Sequence, residues 1–226
     1  MLARAAPGVP VIDLFADAPC FDPQLSAYLL AAYAEGATPG DVFLCVIDPE
    51  VGTARRPLVI YADGRWFVGP DNGLFELVRR RSRDFHVWVI EWRPPRLSAT
   101  FHGRDLFAPV AARLARGEAS PGVPLAPDVV ARPTWPDELA RVVYIDGYGN
   151  AMVGVRAKTL SRATTLEVSG QTIRRHHTFA DVPPGETLWY GNGNGLVEIA
   201  LNQGRAADAL GLRPGTPIGI TGTAGG

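Results

Sequence analysis

Between Gly117 and Pro136 five prolines, at 121, 124, 127, 133 and 136, interrupt the chain, and apolar periodicity is lost over the same stretch. Proline fixes φ and removes a backbone donor, so neither a long helix nor a central strand runs through such a segment. The sequence therefore divides into an α/β domain over residues 1–120, a proline-rich linker over 121–138 and a smaller domain over 139–226. At 226 residues the chain is long enough to bury a substantial core without disulfides or metals.

Ahead of the prolines, short apolar runs alternate with helical patterns. Val9–Phe15 reads as a strand, Leu25–Ala34 as an alanine- and leucine-rich helix, and Val42–Ile47 as a continuously apolar, buried strand. Leu58–Ala62 and Trp66–Val68 flank Asp63-Gly64, a pair that favours a tight hairpin turn. Leu74–Arg81 predicts a short helix, Val87–Ile90 a strand, and Phe107–Arg116 a helix ended by Gly117. Interleaved strands and helices predict a mostly parallel sheet. Beyond the prolines, short strands are predicted at 141–145, 151–155, 165–168, 187–190, 196–201 and 217–221, with helical character only around 206–210. That pattern predicts an all-β, barrel-like domain.

The 22 basic and 23 acidic residues nearly cancel, which removes the electrostatic footprint of a nucleic-acid binder and points to a small or nearly neutral substrate. No stretch reaches the roughly 18 apolar residues of a membrane span. The N-terminus carries no signal-peptide pattern, and Cys45 sits in an apolar run where it acts as a small hydrophobe. A reduced, cytoplasmic protein is expected.

Two segments could hold chemistry. In the first, the buried strand runs straight into Asp48, followed by a proline- and glycine-containing loop with Arg55 and Arg56. Ligands collect beyond the carboxyl ends of strands in open α/β sheets. The structural alternative is that Asp48 caps the loop and pairs with one of the arginines. In the second, Thr100-Phe101-His102-Gly103-Arg104-Asp105, His102 lies just before a helix; a lone histidine is more often structural. His86, His176 and His177 lack the spacing of a zinc site. Gly191-Asn192-Gly193-Asn194-Gly195 has no following lysine and hydroxyl and is no phosphate loop. Gly69-Pro70-Asp71-Asn72-Gly73 reads first as a turn.

Taken in order, Asp48-Pro49-Glu50-Val51-Gly52-Thr53, Gly69 to Leu74, Thr100 to Asp105, Asp146-Gly147-Tyr148-Gly149-Asn150 and Gly195 to Gly204 resemble the S-adenosyl-L-methionine hydroxide adenosyltransferases. These are relatives of the fluorinase and chlorinase enzymes. The resemblance implies a homotrimer with active sites between neighbouring subunits, no cofactor and no metal. Hydrolytic members position a water with an Asp, an Arg and a His, which fall on Asp48, Arg55 and His102. The implied substrate contacts are Phe21, Val51 and Gly103, with Asp146, Tyr148, Asn150, Gly193, Asn194, Asn202 and Gln203 from the second domain. The implied reaction is hydrolysis of S-adenosyl-L-methionine to adenosine and methionine.

The sequence departs from the family pattern in places. Aligning Val9–Ala18 with the family's next strand leaves no residues for its opening strand and ribose-gripping aspartate loop. That implies either an upstream start or a truncated member beginning inside the first helix. Glu50 stands where the hydrolases usually carry glycine, Gly193 and Asn194 replace a hydroxyl-bearing pattern, and Phe15-Ala16 replace Thr-His. A non-catalytic protein that binds S-adenosyl-L-methionine or adenosine, and a halide transferase, remain as alternatives.

Overall fold

The computed structural model describes residues 1–222. The chain forms two compact units, Met1–Thr134 and a second that begins at Trp135. No helix among the described residues is long and apolar enough to cross a membrane.

The first unit opens with a single turn, α1 (Leu2–Ala5). The predicted strand at Val9–Phe15 does not form: the segment is irregular, and Val11, Ile12 and Leu14 are exposed. Pro10 lacks an amide donor, and no ladder forms along this stretch among the described residues. Helix α2 (Pro23–Ala34) starts where the Asp22 carboxylate accepts from the Leu25 amide at 3.0 Å, with Pro23 in the first turn. Tyr28 and most of its alanines and leucines are buried, as suits a helix that is apolar on nearly every side.

Strand β1 (Val42–Leu44) is shorter than predicted. Strands β2 (Pro57–Ala62) and β3 (Arg65–Pro70) form the expected hairpin, with Asp63 at φ 46° and Gly64 at φ 87°, the left-handed pair of a type I′ turn. Then follow α3 (Glu76–Arg81), β4 (Phe85–Ile90), α4 (Ala108–Ala115) and β5 (Gly122–Leu125).

The strands lie in the order β1-β3-β2-β4-β5. Only β1 and β3 run parallel; β2–β3, β2–β4 and β4–β5 are antiparallel. The mostly parallel sheet predicted from the alternating pattern is thus corrected to a mixed one. The tight Asp63-Gly64 turn sends the chain straight back on itself, which permits only antiparallel pairing there. Strand β5 lies inside the stretch predicted to be a linker. A Cβ on Gly122 would lie 2.4 Å from the Val89 carbonyl oxygen, so glycine permits this close approach. Pro124 is tolerated because β5 is the sheet's edge strand. On one face Val59, Val68 and Ile90 pack against Leu106, Phe107, Val110 and Leu114 around α4.

The second unit contains β6 (Leu139–Ile145), β7 (Ala151–Arg156), β8 (Thr165–Val168), β9 (Gln171–Arg174), β10 (Thr187–Gly191), β11 (Leu196–Leu201), α5 (Ala206–Leu210) and β12 (Gly219–Thr221). These form two antiparallel sheets, β10-β11-β7-β6 and β12-β8-β9. Isolated bridges at Arg141–Pro217 and Arg175–Trp189 join the sheets. Instead of a barrel-like closure, single bridges replace a continuous ladder, and no closed barrel forms among the described residues. Trp189 is fully buried between the sheets, its indole N–H donating to the Thr164 carbonyl at 3.1 Å. Residues 223–226 of the predicted second domain lie outside the described residues.

Candidate active site

Asp48 and Arg55 are brought together by a short loop leaving β1. The chain first continues along β3, with the Cys45 amide donating to the Val68 carbonyl at 2.9 Å. Gly69 makes this contact possible: a Cβ there would sit 2.3 Å from the Cys45 carbonyl oxygen. The loop then folds in two overlapping turns, Val51 N–H to Asp48 O at 3.3 Å and Thr53 N–H to Glu50 O at 3.1 Å. Gly52 supplies the positive φ of 86°. The Thr53 hydroxyl donates to Glu50 O at 2.8 Å and accepts from the Arg55 amide at 3.3 Å.

Arg55 consequently returns onto Asp48. Its Nε donates to Asp48 Oδ1 at 2.8 Å and its Nη2 to Oδ2. Both side chains are nearly buried, at 4% and 5% exposure, and a fork-on-carboxylate pair shielded in this way is both strong and directional. Phe107 supplies the floor, with the guanidinium carbon 5.1 Å from its ring centre. Pairing of Asp48 with Arg55, the structural alternative considered from sequence, therefore coexists with the geometry of a site.

His102 closes the cluster. It precedes a wide, π-helical turn at Gly103–Phe107, in which the Ala108 amide donates to the Gly103 carbonyl, a feature frequent at functional sites. His102 Nδ1 lies 2.9 Å from Arg55 Nη2. Arginine has no acceptor, so Nδ1 must offer its lone pair, and the imidazole is neutral with its hydrogen on Nε2. Burial, and then the Arg55 guanidinium, hold the His102 pKa below its ordinary value, against an opposing pull from Asp48. Lowering the pH protonates Nδ1 and breaks its bond to Arg55. The unfolded chain takes up that proton first, at about 6.5. The stabilising arrangement is therefore intact above that pH and is lost as the pH falls through the lower folded-state value. A histidine titration by NMR is expected to place the His102 midpoint below the ordinary histidine value of about 6.5; a midpoint at or above it would contradict the tautomer.

Of the other predicted residues of this unit, Val51 lies on the same loop and Gly103 follows His102, whereas Phe21 stands just before α2. Glu50 is exposed and does not adopt a positive φ, so the carboxylate that replaces glycine adds no backbone strain. Val51 is half-buried in the turn. Gly103 faces Val46, whose Cγ1 would stand 3.0 Å from an added Cβ. Phe21, just before the α2 cap, is 82% exposed at φ 61°. An aromatic residue held in the left-handed region without burial is a backbone outlier.

In the second unit, Asp146, Tyr148 and Asn150 share the β6–β7 turn. Asp146 Oδ1 accepts from the Tyr148 and Asn150 amides at 2.9 and 2.8 Å, while Oδ2 accepts from Asn150 Nδ2 at 3.1 Å. The carboxylate thus shapes the turn, leaving Tyr148 81% exposed at its tip. Gly193 and Asn194 lie in the β10–β11 loop. There Asn192 Oδ1 accepts from the Asn194 and Leu196 amides, both at 3.0 Å. Asn202 donates its amide to Val182 O at 2.7 Å, and Gln203 is exposed at φ 57°.

The sequence reading missed two supports. Buried Glu198 lies under the β10–β11 loop, bonded by the Tyr190 hydroxyl and by Asn192 Nδ2 at 2.9 Å. Asn72 reaches across to the Ile47 carbonyl at 2.7 Å. A charge inside the apolar run Leu196–Leu201 was the available signal for Glu198; Asn72 gave none beyond turn chemistry.

Residues 1–123 match the SAM hydroxide adenosyltransferase N-terminal domain, and residues 140–219 match the SAM hydroxide adenosyltransferase C-terminal domain. A protein of Salinispora tropica named (R)-S-adenosyl-L-methionine hydrolase is 39% identical, over 98% of this chain and 90% of its own. A Thermus thermophilus protein of the same name is 39% identical over 96% and 90%. Among solved structures, an uncharacterized conserved protein from Thermotoga maritima superposes with a TM-score of 0.87 at 27% identity, over 97% of this chain and 92% of its own.

Proposed function

This chain belongs to the S-adenosyl-L-methionine hydroxide adenosyltransferase family, and from that premise we propose that it is an enzyme hydrolysing S-adenosyl-L-methionine to adenosine and L-methionine. The observation that carries the reading is the bonded Asp48–Arg55–His102 cluster at the end of β1, together with relatives named for this hydrolysis along nearly the whole chain.

The chemistry follows from those side chains. C5′ of the substrate bears a sulfonium, so the leaving group departs as a neutral thioether and needs no general acid. No metal or cofactor is required for that departure. The difficulty lies in the nucleophile, because bulk water has a pKa of about 15.7. Asp48 accepts a hydrogen bond or proton from the water. Arg55 keeps its positive charge at any working pH and favours the hydroxide form. Its Nε and Nη2 are bonded to Asp48 and His102, so its charge acts on the water from within the cluster. His102, neutral with hydrogen on Nε2, donates to the water oxygen and does not act as the base.

In this reading Phe21, Val51 and Gly103 contact the nucleoside. Asp146, Tyr148, Asn150, Gly193, Asn194, Asn202 and Gln203 contact the adenine and amino-acid ends. The exposed, left-handed Phe21 and Gln203 and the exposed Tyr148 support that assignment. We assign a homotrimer with inter-subunit sites from the family resemblance. A cytoplasmic location accords with Cys20 and Cys45 both remaining thiols.

The relatives are named for the R configuration at sulfur, so both sulfonium epimers should be supplied separately and the products resolved by chromatography. Adenosine and methionine in equal amounts, formed faster from the R epimer, are expected. Intact substrate with both epimers would reject the hydrolase, and chloride-dependent loss of substrate without adenosine would favour a halide transferase.

A further inference from the structure

We propose that Asp71 and Asn72 are positioning residues that clamp the two arms of the Asp48–Arg55 loop and thereby set the contact between Arg55 and His102. This rests on the reading of those three side chains as the catalytic set.

The two residues grip the immediate neighbours of the pair. Asn72 Nδ2 donates to the carbonyl of Ile47, the residue before Asp48, at 2.7 Å. The Asp71 amide donates to the carbonyl of Arg56, the residue after Arg55, at 2.9 Å. Asp71 Oδ2 also accepts from Arg56 Nε at 2.7 Å. One dipeptide thus holds the entry and exit of the loop at once. Between those points Gly52, Thr53 and Ala54 are exposed, so the loop tip has little packing to fix its width.

The clamp is itself anchored. The Asp71 carboxylate is 6% exposed, and its second oxygen accepts from Arg132 Nη2 at 3.2 Å. Arg56 Nη2 donates to Val129 O at 3.2 Å. The segment after β5 therefore seats on the far side of the same loop. A Gly-Pro-Asp-Asn-Gly turn needs only local bonds, such as Leu74 N–H to Asn72 Oδ1 at 3.3 Å. The reach to Ile47, 25 residues away, is surplus to the turn and directed at the site. A displacement of about 1 Å in catalytic groups can cost on the order of 100-fold in rate.

Two variants separate the tether from the turn. Asn72→Asp keeps the acceptor for Leu74 N–H but has no hydrogen for Ile47 O; Asn72→Ala loses both. Both are expected to lower kcat about tenfold or more with KM within roughly twofold. Recovery of wild-type kcat by Asn72→Asp would assign the residue to its turn and overturn the proposal.

A second readout needs no substrate. Arg55 and Arg93 push the His102 pKa down, and Asp48 and Asp105 push it up. Loosening Arg55 in the uncharged Asn72→Ala variant should raise the His102 midpoint in an NMR titration, whereas an unmoved midpoint overturns the proposal. If that variant does not fold, Asp71→Asn takes its place with the same expected rise. Should the wild type release no adenosine, the hydrolase reading falls, while the titration still decides the clamp.

Discussion

Replacing His102 by alanine is expected to lower kcat for adenosine release by roughly 10²–10³-fold, the usual cost of removing one pre-aimed donor from a reacting oxygen. KM should stay within about threefold, because the ring is assigned to the water and not to the nucleoside. The reference state is neutral water in the site: each N–H that stabilises hydroxide lowers the cost of making the nucleophile. Steady-state kinetics with chromatographic detection of adenosine measure the effect. Unchanged turnover would remove His102 from the mechanism, and a rise in KM alone would place it against the substrate.

The second large effect is structural. Gly69→Ala should destabilise the protein by about 3 kcal/mol, the upper part of the range for forced overpacking. For a chain of this size that corresponds to a fall in Tm of roughly 6–12 °C. Gly69 does not adopt a positive φ, so the cost is steric: the new methyl would meet the Cys45 carbonyl at 2.3 Å and the Phe75 ring at 3.0 Å. Relief requires the end of β1 to move off β3, and Asp48 lies three residues beyond Cys45. Activity should therefore fall along with the Tm. An unchanged melting curve would mean that β1 and β3 are not this close.

Periodicity and turn chemistry located most elements, because those signals are local. The Asp63-Gly64 hairpin, the alanine-rich helix after Asp22 and the strands around the second-unit turns follow from residues within a few positions of one another. Strand direction was legible only in part: the continuously apolar Val42–Ile47 suits the parallel neighbour that β1 has in β3, yet the other three pairings of the sheet are antiparallel. Strand β5 was hidden because its pairing depends on Gly122 meeting Val89, a contact that closes more than 30 residues of chain. Conversely, Val9–Phe15 has strand-like composition but no ladder to join. At the site, Asp48 and His102 drew notice by position alone, but their joint role with Arg55 was legible only through the collinear motifs, since a buried ion pair and a capping aspartate look alike in sequence. Asn72 was legible as a turn residue and illegible as a tether, because nothing in a pentapeptide discloses what its side chain reaches across space.

The wide turn after His102 has a consequence for helical phase. Residues five apart on an α-helix point about 140° away from each other, at 100° per residue. His102 and Phe107 are five apart, yet both meet the same guanidinium, one at its edge and the other beneath its plane. An i to i+5 turn brings that spacing nearly into register, so the extra residue acts as a phase shifter that aims two side chains at one target. Closing the same residues, at their present spacing, into a regular α-helical turn would rotate one of the two away from Arg55. The width of the turn, more than any one side chain's chemistry within it, keeps both on one target.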